Sequence, residues 1–564
     1  MKNILIAIRS IFKKGRHNVM KIVSLGIGLA VGLVLIAKVY FEQSYDDFYP
    51  DRDRVYQVWA KYQQKGGELK DYPQTSGGIA PTMQQQIPEI ETVTRYTSFG
   101  DWTFTMTDTK MKYSGRCIIA DSCFFDILPR PMLIGNAKEV LSTPMYVLIS
   151  SRIAKNIGGD VIGKNFTVDN SPGRTMTIGG VFEEVPENSH SRYDVIVSMA
   201  SAGRFMWEGS PTNMLGNDRY ISYVKLHKGV NPLALEEQVR TFVNSYFPPE
   251  EQQKVGLSID FSFHKLDNLH KELPQVKRMT WILSLLAFAL IFTAVMNYIL
   301  IVISSIVNRS KEVAVHKCYG ASENNIHGMM FGEALVHIVL SLILALLLIL
   351  AFRGTVEELL ATSLDSLLLS NGSLVLLGIC ILVFFVSGFM PGSLYARIPV
   401  ASAFRNYREN KRIWKKALLL VQFVATGFLV TMLVFVARQY TFMVNDRPGY
   451  AYENLAYCGL AGVDSTSRAK ILDEVMRLPG VAAATTVYQL PFEHASGNNI
   501  LLPGGTQELF NIADLYLGRQ RISGHDGDSR DPRPLVHGEC DQLERGDGRP
   551  PFRGEDEIGS GLDG

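Results

Sequence analysis

Excess charge is the first thing this sequence lacks. Its 56 Lys and Arg stand against 55 Asp and Glu, a net +1 over 564 residues, so no global field draws it toward nucleic acid. Catalytic signatures are missing too. The chain holds no H-E-x-x-H, no G-x-S-x-G and no paired Cys-x-x-Cys, which removes the commonest zinc-protease, serine-hydrolase and dithiol arrangements. No catalytic residue, metal site or cofactor is expected. Charge is also nearly absent from five long apolar runs, at 19–41, 279–307, 331–352, 374–394 and 417–437. A bilayer core of roughly 30 Å demands about 20 such residues of a crossing helix. The fold class expected is therefore a membrane α-helical bundle with five transmembrane helices, joined to an α+β extracytoplasmic domain.

Acidic residues are absent ahead of the first run, where Lys2, Arg9, Lys13, Lys14 and Arg16 lie, whereas Glu42, Asp46 and Asp47 follow it. That asymmetry predicts a cytosolic N-terminus. Between the fourth and fifth runs, Arg397, Arg405, Arg408, Lys411, Arg412, Lys415 and Lys416 meet a single acid, Glu409, which predicts a second cytosolic segment at 395–416. The four runs between these two segments bring the chain back to the same side, so the assignments agree. A cleaved secretory signal fits the first run poorly. Its basic flank and apolar stretch are too long, and Ala37-Lys38-Val39 is no small-x-small cleavage site. Ile4, Ile8, Ile11 and Phe12 recur at helical spacing with Arg9, Lys13 and Lys14 elsewhere on the wheel, which predicts a cytosolic amphipathic helix over 1–18. Lys38 is expected to snorkel.

The block 42–278 mixes strand-like stretches such as RVYQVWAKY with helical ones such as PLALEEQVRTFVNSYF, the pattern of an α+β domain outside the membrane. Within it, GGDVIGKN at 158–165 stops one residue short of a nucleotide-binding loop, because Asn165 stands where a magnesium-binding Ser or Thr belongs. It runs on into alternating strand-like sequence, whereas a P-loop lysine opens a helix, so it reads as a turn between a helix and a strand. Cys117 and Cys123 fall in the same block; a bridge between them and two separate buried thiols are both open. Cys318 and Cys380, one cytosolic and one in a membrane helix, are not expected to be bridged. The second run is longer than a bilayer needs, and is expected to continue outside as a stalk. A cytosolic loop at 308–330 and a short outer loop at 353–373 complete the first part of the chain.

The chain also repeats itself. The segment from Asn18 through the strand after Arg54 is echoed from Ile413 onward in its order of basic flank, apolar helix, aromatic exit, proline and strand. The offset of about 390–400 residues implies that a complete second copy would need nearly 800. The span 438–517 is thus expected to begin a second extracytoplasmic domain. From about 518 the sequence becomes rich in Gly, Arg and Asp with no apolar period, and no lysine follows Lys470. A disordered tail and a shifted reading frame in a longer gene both account for this, and the abrupt change inside a folded repeat favours the second. The span 518–564 is expected to be unfolded.

The polar loop after the second run reads NRSKEVAVHKCYGASENNIHGMMFGEALV, helical in pattern and broken at Gly320. Here the chain resembles the MacB/FtsX-like permeases of ABC transporters, of a duplicated eight-helix type, whose loop carries Arg, then Glu and an aliphatic, a basic residue, and Gly-Ala-Ser. Arg309, Glu312, Val313, Lys317, Gly320, Ala321 and Ser322 supply that pattern. Asn297, DSCFFDILPRPMLIGNAKEVL, GVFEEVPENSHSRYDVIVSM and GFMPGSLYARIPVASAFRN match further segments of the family in order. The resemblance implies that the loop is a coupling helix docking into a separate cytosolic ABC ATPase. It also implies location in the plasma (inner) membrane of a bacterium, with partners including membrane lipid, and allows a second permease copy and an extracytoplasmic adaptor.

Each residue has a blander reading beside the sharp one. Glu312 and Lys317 also suit an ordinary solvated helix face, and Asn297 suits a hydrogen bond between helices better than a role in transport. Glu333 and His337, one turn apart in the third run, suit a packing contact near the interface better than a proton-linked pair. The expected function is a non-enzymatic permease subunit that transmits ATP-driven movement to its outer domain. A membrane-anchored sensor with an extracytoplasmic ligand-binding domain is the alternative, and an ion-coupled transporter working through Glu333 or Asn297 is a third.

Overall fold

The structure is a computed structural model that describes residues 17–64, 69–168, 171–216, 219–369, 372–396, 413–445, 454–460, 463–487, 497–501 and 508–514. Residues 1–16 of the expected amphipathic helix, residues 397–412 of the basic linker and the tail 518–564 lie outside the described residues. The chain divides into two compact units, Met1–Val430 and Thr431–Gly564.

In the first unit, helix α1 (Asn18–Gln43) leads into a large mixed sheet built from β1 (Val55–Gln64), β2 (Leu69–Tyr72), β3 (Ile90–Met106), β4 (Lys112–Ala120), β5 (Met132–Ile134), β6 (Tyr146–Ser150), β7 (Asn165–Val168), β8 (Ser171–Phe182), β9 (Val195–Ser198), β10 (Ile221–Leu226) and β11 (Leu257–Lys265). The order across it is β11-β1-β10-β3-β4-β9-β6-β8-β5, with β2 beside β1 and β7 beside both β3 and β8. Pairings β4–β9 and β6–β8 are parallel, and the other pairings in this sheet are antiparallel. Tyr96 of β3 pairs with Ile221 of β10 and with Ala120 of β4, so this long strand joins the two halves of the sheet. A bulge between Ser98 and Gly100 lies just beyond that point, where Gly100 adopts φ +72°, a conformation that costs glycine nothing.

Helices α2 (Ile79–Gln86) and α3 (Glu236–Tyr246) cover one face, packing Ile79, Met83, Val239 and Phe242 against Val58, Val93, Val224 and Phe261. A second core gathers around Phe104, Ile149, Phe166 and Val197, and a third around Tyr96, Phe124, Phe182 and Tyr223. GGDVIGKN joins the helix Ser151–Ile157 to β7, with Gly158, Gly159 and Gly163 all at positive φ; it is a turn. Cys117 is buried on β4 and Cys123 is half-buried, and both are free thiols. The bridge left open by their spacing is not made, and burial pushes the Cys117 thiol up.

The helices of the first unit form a bundle. They are α1, α4 (Pro274–Ser304), α5 (Ile306–Cys318), α6 (Glu323–Ala351), α7 (Arg353–Leu360), α8 (Leu364–Leu368) and α9 (Ser373–Ala396). α1 packs along α4 and α6, and α9 packs on α6 and α4. Gly28 and Gly32, four apart, let α1 and α4 approach closely: a Cβ at Gly28 would collide with that of Ala294, and one at Gly32 with the side chain of Ile291. Small residues at this spacing replace the hydrophobic driving force that lipid removes. With α10 (Ile413–Asn445), five helices among the described residues are long and apolar enough to cross a membrane. In the second unit, α11 (Ser465–Met476) is capped by Asp464, whose carboxylate accepts from the Ser467 amide at 2.9 Å. Strands β12 (Gly497–Leu501) and β13 (Glu508–Asp514) there pair antiparallel.

Candidate functional site

The segment joining α4 to α6 is a short helical knob. α5 ends at Cys318 with Tyr319 in its C-cap position, Gly320 turns the chain at φ +86°, and α6 starts after Ser322, which occupies its N-cap position. Three apolar residues in a row decide how the knob sits. Val313, 1% exposed, and Ala314, fully buried, enter the bundle core beside Ile326 and Met330, while Val315 and Tyr319, the latter 88% exposed, point outward with His316. Glu312 and Lys317 are half-buried, Ala321 is half-buried, and Gly320 and Ser322 are exposed. The Arg309 side chain lies outside the described ones. Of the residues singled out by sequence, Val313 therefore anchors the knob instead of forming its surface.

Toward the bundle interior, Glu333 lies 3.5 Å from the Lys21 ammonium of α1, which also donates to Asn18 at 3.2 Å. His337 meets the Tyr298 hydroxyl of α4 through Nδ1 at 3.1 Å, and the Ser341 hydroxyl donates to the Ile22 carbonyl. Glu333 and His337 thus each face another helix. Asn297 is half-buried on α4, and no hydrogen bond joins it to another helix among the described residues.

At the other end of the bundle, α1 meets the large domain through ionic clamps. Lys38 does not snorkel. It is 7% exposed, its ammonium lies 2.7 Å from Glu42 one turn on, and it donates to the Thr362 hydroxyl at 2.7 Å. A carboxylate and a hydroxyl inside the protein satisfy it better than a reach past packed neighbours to water. Glu42 also holds His270 Nε2 at 2.6 Å, and the His270 ring stacks on Tyr45 with centroids 3.4 Å apart. Next along the chain, the fully buried Asp46 accepts from the Ser189 hydroxyl and the His190 amide, and lies 2.7 Å from His190 Nδ1. Asn188 donates to the Ser44 carbonyl at 2.7 Å. Glu187 accepts from the amide of Ser363 at 3.0 Å, tying the domain to the loop between α7 and α8. A second ring joins Lys271 to Asp267 and Asp47 at 2.9 and 3.3 Å; burial pushes Asp267 up, but the Lys271 ammonium, together with Asp47 and Arg52, more than offsets it and holds that carboxyl below its usual range.

Asp46, His190 and Ser191 have the connectivity of a hydrolytic triad, with Ser191 Oγ 3.0 Å from His190 Nε2. The geometry does not suit nucleophilic attack. Ser191 is 4% exposed, its hydroxyl is hydrogen-bonded to that of Tyr96 at 2.7 Å, and the same Nε2 also meets the Tyr223 hydroxyl. Burial pushes the Tyr96 phenol up to about 12 and raises that of Tyr223, so both are neutral hydrogen-bonding groups.

Two family models match in chain order: the MacB-like periplasmic core domain over residues 20–242 and the C-terminal domain of FtsX-like permeases over 284–400. The first covers α1 and most of the sheet domain, and the second covers α5 with the helices around it. The chain belongs to the MacB/FtsX-like ABC permeases. A solved domain assigned to a permease protein of Porphyromonas gingivalis shares 33% identity, covering 38% of this chain and 91% of its own length, with a TM-score of 0.36. The periplasmic region of MacB from Actinobacillus actinomycetemcomitans shares 15% identity over 39% of this chain and 92% of its own, with a TM-score of 0.27. The extracellular domain of the noncanonic ABC-type transporter YknZ from Gram-positive bacteria shares 10% over 37% and 98%, again with a TM-score of 0.27. No curated protein matches the chain. The permease is thus a membrane subunit of an ABC transporter, and its sheet domain is extracytoplasmic. Sequence reasoning missed the clamps of this permease. Lys38 and Glu42 at i, i+4 were the visible signal, but their partners His270 and Thr362 come from far along the chain.

Proposed function

We propose that this permease transmits conformational change from a separate cytosolic ATPase to its extracytoplasmic domain, for export or for activation of an outer partner, and hydrolyses no nucleotide itself. The ATPase docks on α5 and the turn after it, on the cytosolic face, meeting Glu312, Val315, Lys317, Tyr319 and Gly320, while Val313 roots the knob and Arg309, Ala321 and Ser322 shape its two ends. One observation carries the reading: Val313 and Ala314 belong to the same apolar core as Phe41 at the opposite end of α1. A core packed at crystal-like density does not absorb a displacement locally. A push on the knob therefore moves α1, whose 26 residues span about 39 Å at 1.5 Å per residue, and the clamps at Lys38, Glu42 and Asp46 pass it to the outer domain. Glu333 helps to hold the bundle together in this scheme through Lys21, and neither it nor Asn297 lines a path. The partners are the ATPase and membrane lipid, with room for a second permease copy and an outer adaptor, and the setting is a bacterial inner membrane.

Co-purification tests the docking. The wild type is expected to retain an ABC ATPase that Glu312→Ala combined with Tyr319→Ala loses. An ATPase that stays bound to the double variant removes the docking claim, and a wild type that retains no ATPase at all favours a membrane-anchored sensor.

A further inference from the structure

Two histidines of the outer domain grip the chain where it leaves α1, and each does so through a carboxylate. His190 holds Asp46, and His270 holds Glu42. An imidazole is the side chain that changes charge between about pH 5 and 8. From this geometry we infer that the junction is a proton-loaded latch, tight when the outer compartment is acidic and loosened as its pH rises.

The two grips are not equivalent, and the difference follows from their surroundings. His190 is faced by Asp46 from the segment after α1, by Tyr223 from β10, and through Ser191 by Tyr96 from β3. Beside it runs a cavity of about 300 Å³ lined by Arg116, Arg192 and Asp101, which gives protons a route from solvent. Among the described residues His190 is the one side chain able to carry positive charge that makes an ion pair with Asp46. His270 faces Glu42, the stacked Tyr45 and, through Glu42, Lys38. Lys38 keeps Glu42 compensated whatever the state of His270.

Loss of a proton from His190 therefore leaves Asp46 a buried carboxylate held only by neutral donors: the Ser189 hydroxyl, an amide and a neutral imidazole. Charge-assisted hydrogen bonds are roughly twice as strong as neutral ones, so the latch weakens without breaking. Each hydroxyl can donate or accept, so protonation of Nε2 is absorbed by reversing the hydrogen bonds through Ser191 and Tyr96. The pH response resides mainly in Asp46–His190, with His270 contributing less. If the coupling described above operates, the latch sets how firmly α1 drags the outer domain.

Hydrogen exchange of residues 44–49 and 187–191, read on the purified full chain in lipid nanodiscs without any ATPase and corrected for the intrinsic chemistry of exchange, tests the latch. Between pH 5.5 and 8 the wild type is expected to lose protection there, as the charge-assisted bond gives way to a neutral one. His190→Gln is expected to flatten that change, and His270→Gln to keep most of it. Should His190→Gln fold poorly, Asp46→Asn provides the same comparison, since it removes the charge that the imidazolium opposes. A flat wild-type profile, or an unchanged slope in His190→Gln or Asp46→Asn, overturns the latch. Because no ATPase is present, that result leaves the docking claim standing, and failed docking leaves the latch standing.

Discussion

Replacing Glu42 with Gln isolates the ionic clamp from the packing around it. The side chain keeps its shape and one acceptor oxygen, so His270 loses little contact, but Lys38 loses its carboxylate. Lys38 is 7% exposed, and its ammonium retains only the Thr362 hydroxyl and the face of Phe41, 5.0 Å from the ring centroid. Removing one partner of a buried pair costs roughly 3–5 kcal/mol, because the other charge stays buried without compensation. Glu42 is itself 4% exposed, and the amide of Gln still offers a dipole, which places the cost near the lower end, about 3 kcal/mol. For a domain of 150–250 residues each kcal/mol moves the melting temperature by about 2–4 °C. The extracytoplasmic domain in Glu42→Gln is therefore expected to melt roughly 6–12 °C below wild type in nanodiscs. Adding Lys38→Met should recover most of that loss, since the charge that lacked a partner is gone. Melting of Glu42→Gln within about 1 °C of wild type, on that same conversion, or a double variant as unstable as the sum of both single changes, would refute the reasoning.

Three further outcomes follow from other parts of the chain. Gly28→Leu places a branched side chain where a single Cβ already meets Ala294, and is expected to cost about 1–3 kcal/mol by overpacking, read as a lower melting temperature of the bundle in detergent, with Gly354→Leu, at a position with open space, as the unaffected control. Gly320→Ala forces a Cβ into the left-handed turn at φ +86° at a cost of about 1–2 kcal/mol, and is expected to weaken ATPase retention while the melting of the outer domain stays unchanged. Acid destabilises the outer domain: the Lys225 ammonium at 2.6 Å, with Arg54, holds Asp51 below the usual carboxylate range against partial burial, and Arg54 does the same for Glu91. Their folded values lie below the unfolded ones, so their stabilisation is present above about pH 4 and is lost as pH falls through the lower folded values. Melting followed from pH 6 to pH 3 is expected to fall, and Lys225→Met to flatten part of that slope.

The parts of the fold that hydrophobic pattern alone determines were legible. Five apolar runs mark five helices, and RVYQVWAKY marks β1, because crossing a bilayer and filling a half-buried sheet both impose local periods. The turn at GGDVIGKN was legible because strand-like sequence follows the lysine. The inward side of α5 was not, since Val313, Ala314 and Val315 are consecutive and a short polar helix has no period that chooses among them. The Gly28 and Gly32 pair stood in the sequence as G-x-x-x-G, and only the structure names Ala294 and Ile291 as what it admits. Least legible were the clamps. Lys38 finds Thr362 across 324 residues and His270 finds Glu42 across 228, pairings set by tertiary folding and not by spacing. A lysine inside an apolar run invites the expectation of snorkelling, and that expectation failed because Glu42, one turn on along α1, and Thr362, between α7 and α8, supply it with buried oxygen partners.

The most direct test of the account follows movement from the knob to the clamps in one sample. Hydrogen exchange of residues 38–49 and 267–273 is measured on the permease bound to its ATPase, with and without a non-hydrolysable ATP analogue, and again with Gly320→Pro at the knob. Nucleotide is expected to change protection at the clamps in the wild type, and the change is expected to disappear in the knob variant although the outer domain stays folded. Clamps that respond to nucleotide equally in both, or in neither while nucleotide is bound, would contradict the account.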